Sequence, residues 1–172
     1  MNILLAALAA VLGSCIGSFI NAAVYRLKHN KPLANDRSKC IHCERVLQAV
    51  DLVPVLSYLF LRGKCRTCVK AIPKRYVVVE LVAAALFVLA YLRIAAMGPA
   101  LDSMQIVTLV RDFFAVSVLL FLFVYDYLYS LLPDEVTIPA MVILAAFSLI
   151  LGMPWPQLLI GVAAGGGFFL LQ

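Results

Sequence analysis

The stretch from Ile3 to Val24, ILLAALAAVLGSCIGSFINAAV, contains no charged residue. A helix needs about 20 mostly apolar residues to cross a bilayer, and this run supplies them. It could also be read as a signal peptide, because Leu12-Gly-Ser-Cys15 looks like a lipoprotein cleavage site. No basic residue precedes it, however, and its apolar character continues past Cys15 through Ile20, so the expectation is an uncleaved first helix. Gly13 and Gly17, beside Ser14 and Ser18, give that helix a small-residue face on which a second helix could pack closely.

The rest of the chain repeats the pattern. Hydrophobic residues make up 65% of the 172, and charged residues only 13%, whereas a soluble domain is about half apolar. One apolar run could be a buried core helix, but several leave too little polar surface to cover them. Further spans are expected at Tyr76–Met97, ended by Gly98-Pro99, at Ile106–Tyr125, at Val136–Leu151, and from Leu158 through Gly165-Gly-Gly167 to Gln172. Arg93 is placed to snorkel, and Arg111 and Asp112 to pair locally. The fold class is all-α, a polytopic helical membrane protein with a small cytoplasmic zinc-binding insert. Three parts are expected: residues 1–24 as the first transmembrane helix, 25–75 as a four-cysteine module, and 76–172 as a membrane domain of four spans.

Charge orients this arrangement. Of 14 Lys and Arg residues, 12 lie between Arg26 and Arg75, and basic residues crowded between spans mark a cytoplasmic loop. The net charge of +5 therefore belongs to one membrane-facing insert, where anionic head groups account for it without nucleic acid. Counting crossings puts the amino terminus and residues 98–105 and 152–157 outside, and residues 126–135 inside with the insert. Within the insert, Val50–Leu61 is apolar, too short to span and contains Pro54, which suits an interfacial segment or a miniature core.

Cys40-x-x-Cys43 and Cys65-x-x-Cys68 have the paired spacing of a structural zinc site. Four thiolates complete a closed tetrahedron that leaves no position for water, so such a metal stabilises rather than catalyses. Two disulfides or four free thiols are the alternatives, and a reducing cytoplasm disfavours disulfides. His42 sits between the first two cysteines and is read as a solvated loop histidine rather than a substitute ligand. Lys39, Arg45, Lys64 and Arg66 would offset the negative charge of a four-thiolate centre. Cys15, inside the first span, reads as a small buried hydrophobe.

Charges at membrane depth cost on the order of 2.5 to 3.5 kcal/mol and need a reason. Asp126 ends the run Leu120-Phe-Leu-Phe-Val-Tyr125, at a helix carboxyl end where the dipole disfavours negative charge. Asp134 opens the next helix after Pro133 and, with Glu135, is explained by the favourable amino-end dipole. Aspartyl proteolysis needs two carboxyls sharing one proton. From the residues alone Asp126 is either a functional acid or an interfacial carboxylate reaching head-group water; it is the catalytic candidate, and Asp134 a weaker one as its partner.

Several motifs in order carry a resemblance: Gly17-Ser-Phe-Ile-Asn21 with Tyr25-Arg-Leu27, the Cys40/Cys43 pair, Leu56-Ser-Tyr58-Leu with Leu61-Arg-Gly-Lys-Cys65-Arg-Thr-Cys68, Lys74-Arg-Tyr76, Glu80-Leu81, and Asp126 through Leu132-Pro133-Asp134 to Thr137-Ile-Pro139. Together they closely resemble type IV prepilin leader peptidases. The resemblance implies a bacterial inner-membrane aspartyl protease that removes the basic leader of prepilins or type II secretion pseudopilins at the cytoplasmic face. It also implies N-methylation of the new terminus from S-adenosylmethionine, with Asp126 matching the first catalytic aspartate and Cys40, Cys43, Cys65 and Cys68 the zinc module. The family's second aspartate follows a Gly-x-Gly-Asp motif that does not occur in these 172 residues, so the chain is expected to be a fragment without peptidase activity of its own. A degenerate relative is the other possibility. The competing functional class is a non-catalytic zinc-knuckle membrane adaptor, and a transporter half with Asp126 as proton site would need facing polar residues in several spans.

Overall fold

In a computed structural model, which describes residues 2–33, 37–98 and 102–170, the uncharged opening run forms helix α1 (Ile3–Lys28). Asn2 starts it: its side-chain oxygen accepts the Leu4 N–H at 3.0 Å. The helix continues one turn beyond the expected end at Val24, because Arg26 and Lys28 in its last turn complement the negative dipole end. The insert that follows holds a 3₁₀ turn (Ala49–Asp51) and a short helix α2 (Leu56–Phe60). Then come α3 (Arg75–Ala95), α4 (Ser103–Tyr129), α5 (Asp134–Ile150) and α6 (Trp155–Leu170). Among the described residues there is no strand, only two isolated bridges, Lys39 with Val46 and Lys64 with Ala71.

Three helices among the described residues, α1, α3 and α4, are long and apolar enough to cross a membrane. Helices α5 and α6 have 17 and 16 described residues. Pro139 also lies inside α5 and removes one of its ladder hydrogen bonds. Pro99, expected to break a helix, and Gln172 lie outside the described residues.

The glycine face of α1 meets α3. A Cβ at Gly13 would lie 2.6 Å from the Ala83 carbonyl oxygen, and one at Gly17 would lie 2.7 Å from the Glu80 Cα, so both positions exclude any side chain. That backbone approach is the small-residue packing the spacing predicts. Cys15, on another side of α1, is exposed rather than buried, so it does not serve as a core residue. The two helices run antiparallel, with the Asn2 N–H donating to the Tyr91 hydroxyl at 3.4 Å at one end. Ile20, Ala23 and Val24 of α1, Val79 and Ala83 of α3, and Leu120, Phe121, Val124 and Tyr125 of α4 form the core near the other end. There the Lys28 ammonium lies 5.0 Å from the centre of the Tyr129 ring. The carboxyl ends of α1 and α4 therefore meet on the side that carries the insert. Toward the opposite end Arg111 pairs locally with Asp112 at 2.8 Å, and Arg93 of α3 joins the same carboxylate. In the insert, Val50, Leu56, Leu59 and Phe60 are exposed. They build no miniature core, which leaves the interfacial reading.

Candidate functional site

Each Cys-x-x-Cys pair sits in a tight turn that the second copy repeats. The Cys40 N–H donates to the Arg45 carbonyl at 2.9 Å and the Glu44 N–H to the Cys40 carbonyl at 3.0 Å. In the second turn the Cys65 N–H donates to the Lys70 carbonyl at 2.9 Å and the Val69 N–H to the Cys65 carbonyl at 3.0 Å. The residue after the second cysteine takes a left-handed conformation in both, with φ of 56° at Glu44 and 58° at Val69. That conformation is costly for a β-branched valine and marks a backbone held by its surroundings.

The two turns bring all four Sγ atoms within 4.8 Å of one another, and Cys40 Sγ lies 3.9 Å from Cys68 Sγ. A tetrahedral zinc with bonds of about 2.3 Å places its sulfurs about 3.8 Å apart. The cluster thus has the donor set and the span to hold such an ion. His42 is exposed and stands outside the cluster. The amides of Cys68 and Thr67 donate to Cys65 and lower its thiol to about 6, despite burial. The Lys70 amide favours the Cys68 thiolate, but burial and the neighbouring thiols outweigh it and push Cys68 up to about 11.

Asp51, which sequence reasoning did not single out, braces this module. Its side chain is 2% exposed and lies 2.7 Å from Arg45 and 3.2 Å from Arg66. Burial opposes its ionisation, but the Gln48 N–H and the two guanidinium groups outweigh that and hold the carboxyl below its ordinary range. A carboxylate in a basic, cysteine-rich loop was the available clue.

The aspartates lie at the corner between α4 and α5. Ser130, in the left-handed conformation (φ 50°, ψ 43°), closes α4 by donating its N–H to the Asp126 carbonyl at 2.7 Å. The Asp126 side chain is left exposed. Asp134 occupies the first turn of α5, after Pro133, and is also exposed. Among the described residues neither carboxylate has a hydrogen-bond or ion-pair partner, so the corner places both aspartates at one end of the helix pair without joining them.

A third carboxylate was named in the motif series but given no role. Glu80 of α3 is 8% exposed and its Oε2 accepts the Val55 N–H at 2.7 Å. Val55 itself has φ 61° and ψ −52°, the strained form of a three-residue turn. Asn21 of α1, 7% exposed, donates to the Tyr76 carbonyl at 3.1 Å beside it. The cost of a charge in an apolar run, weighed for Asp126, applies equally to Glu80 and would have found it.

Residues 11–94 match the family described as the Bacterial Peptidase A24 N-terminal domain. The chain is 34% identical over 156 residues to the prepilin leader peptidase/N-methyltransferase of Bacillus subtilis, covering 90% of this chain and 59% of that protein. The same name belongs to relatives in Myxococcus xanthus, at 34% identity covering 90% of this chain and 44% of that protein, and in Klebsiella pneumoniae, at 33% covering 89% and 66%. The chain thus spans about half to two thirds of the length of these curated relatives. No solved structure matches it.

Proposed function

Because this chain belongs to the prepilin leader peptidase family, we propose that it works in leader removal from type IV prepilins or type II secretion pseudopilins, with Asp126 as one of two catalytic carboxyls. The observation that carries this reading is the exposed Asp126 side chain at the end of α4, without a partner among the described residues, on the side that carries the basic insert. Two carboxyls close enough to share a proton divide the work: one takes a proton from water, and the other gives one to the scissile carbonyl. Asp126 supplies one such group, and the second comes from a segment bearing Gly-x-Gly-Asp. Asp134, held in the first turn of α5, is the weaker candidate for that second role.

The four-cysteine module holds zinc through Cys40, Cys43, Cys65 and Cys68, on the cytoplasmic side of the bacterial inner membrane. The zinc is structural, since four thiolates close its coordination shell. The methyltransferase half of the relatives' name supports a second activity here, N-methylation of the new amino terminus with S-adenosylmethionine supplying the methyl group.

A chimera tests the peptidase half. Joined to the carboxy-terminal portion of the Bacillus subtilis relative and placed in liposomes, the chain is expected to cut a prepilin that the 172 residues alone leave intact. Asp126→Asn in the chimera is expected to abolish the cut, and Asp134→Asn to spare it. Undiminished cleavage by the Asp126→Asn chimera would refute the assignment.

A further inference from the structure

The segment between the two knuckles turns its apolar side chains outward. In α2, Leu56, Leu59 and Phe60 stand at positions i, i+3 and i+4 and so share one face. Phe60 is 83% exposed and Leu59 62%, and Leu52 and Val53 just before the helix are exposed as well. Another side of the helix is fixed to the second knuckle. The Tyr58 carbonyl accepts the Gly63 N–H at 2.8 Å, and a Cβ at Gly63 would lie 2.9 Å from the Tyr58 ring. The turn that carries Cys65 therefore holds the apolar face outward, and a contiguous apolar patch of this kind marks an interaction surface.

Glu80 sets the depth of that face. Its Oε2 accepts the N–H of Val55, the residue before α2, at 2.7 Å. Glu80 lies five residues into α3 from Arg75, about 7.5 Å at 1.5 Å per residue. Its Cα faces Gly17 of α1, nine residues before Arg26, or about 13 Å by the same rise. A glutamate side chain leans toward the amino end of its helix, so the Val55 amide stands between the levels of Glu80 and Arg75, below the first basic residues of both spans. Interfacial segments rest about 5 to 10 Å into the boundary between head groups and acyl chains, and α2 falls in that zone. Arg62 and Lys64 just after the helix, and Lys74 before α3, are exposed and rim the face with positive charge. Such a rim favours anionic head groups.

We propose that α2, with Leu52 and Val53, is a re-entrant membrane anchor. Its Leu56, Leu59 and Phe60 face enters the leaflet on the insert's side, and Arg62, Lys64 and Lys74 meet the anionic head groups there. Through Tyr58 and Gly63 the anchor holds the second knuckle, and with it the cysteine module, down on the membrane surface. The partner is lipid rather than a soluble protein, because the face lies below the level at which the spans acquire their charges.

The test uses the unaltered, zinc-loaded chain in nanodiscs of phosphatidylglycerol that carries a photoactivated diazirine on its acyl chain, with adducts mapped by mass spectrometry. Adducts are expected on the peptide containing Leu59 and Phe60 as well as on α1, α3 and α4. Adducts confined to the spans would overturn the anchor, whether that peptide is then open to hydroxyl radicals from water or shielded from them by protein. In zwitterionic phosphatidylcholine the labelling of this peptide should fall while that of the spans stays the same. Equal labelling in both lipids would overturn the assignment to anionic head groups. Leu59→Asp with Phe60→Asp leaves Tyr58 on Gly63 and should abolish the adducts on this peptide with zinc content unchanged. Adducts that persist in that variant would overturn the assigned face.

Discussion

The cysteine module and the α4–α5 corner both gather groups with chemical potential, but they do so in opposite ways. In the module two local turns aim four sulfurs at one point, and a braced carboxylate locks the loop around them. At the corner two carboxylates project from the ends of consecutive helices, with no partner for either among the described residues. A closed site with every donor in contact suits stability. An exposed acid held at a helix carboxyl end contributes little to stability and remains available for reaction.

Substitutions can break or sharpen this contrast. The largest effect is expected from Cys65→Ser, which should remove the bound metal and with it on the order of 10 kcal/mol of metal-coupled folding in the insert. Elemental analysis should find zinc in the parent and little in the variant, and full retention would show that the quartet is not the metal site. Gly13→Val comes next, because its side chain would enter the space of the Ala83 carbonyl. A loss of about 1 to 3 kcal/mol is expected in reversible unfolding from bicelles, whereas an unchanged midpoint would mean that α1 and α3 are not packed at this point.

A smaller and pH-dependent effect is expected at Asp51. Its folded pKa is lowered, so its stabilisation is present above the ordinary carboxylate range and is lost as pH falls through the folded value. The protection factor of the Gln48 amide, its exchange rate relative to an unstructured amide at the same pH, should fall on acidification, and Asp51→Asn should lower it at neutral pH as well. A slow amide in that variant would separate Asp51 from the module's rigidity. The smallest effect belongs to Asp126→Asn, which should change stability by no more than about 0.5 kcal/mol. A large change in the same unfolding measurement would mean that Asp126 is structural and the contrast is false.

Much of this was legible in the sequence because local spacing encoded it. The glycine interval in α1 specified close packing on a second helix, and the two Cys-x-x-Cys intervals specified converging sulfurs. Features that depend on long-range contacts were not legible. The role of Glu80 requires the insert to fold back and present the Val55 N–H to α3, and that of Asp51 requires Arg66 to return beside the first knuckle. Hydropathy registers apolar residues but not element ends: those of α5 at Asp134 and Ile150 are set by a preceding proline and by Gly152, at φ 82°. The exposure of Cys15 depends on which side of α1 meets α3, and that is decided by Gly13 and Gly17.

The central claim is that the exposed Asp126 at the α4–α5 corner is reactive where the closed cysteine quartet is structural. Mass spectrometry of the pilin product released by the chimera tests this most directly. The unaltered chimera is expected to return the cut product, and Asp126→Asn only intact precursor. Cleaved product from the Asp126→Asn chimera would contradict the account.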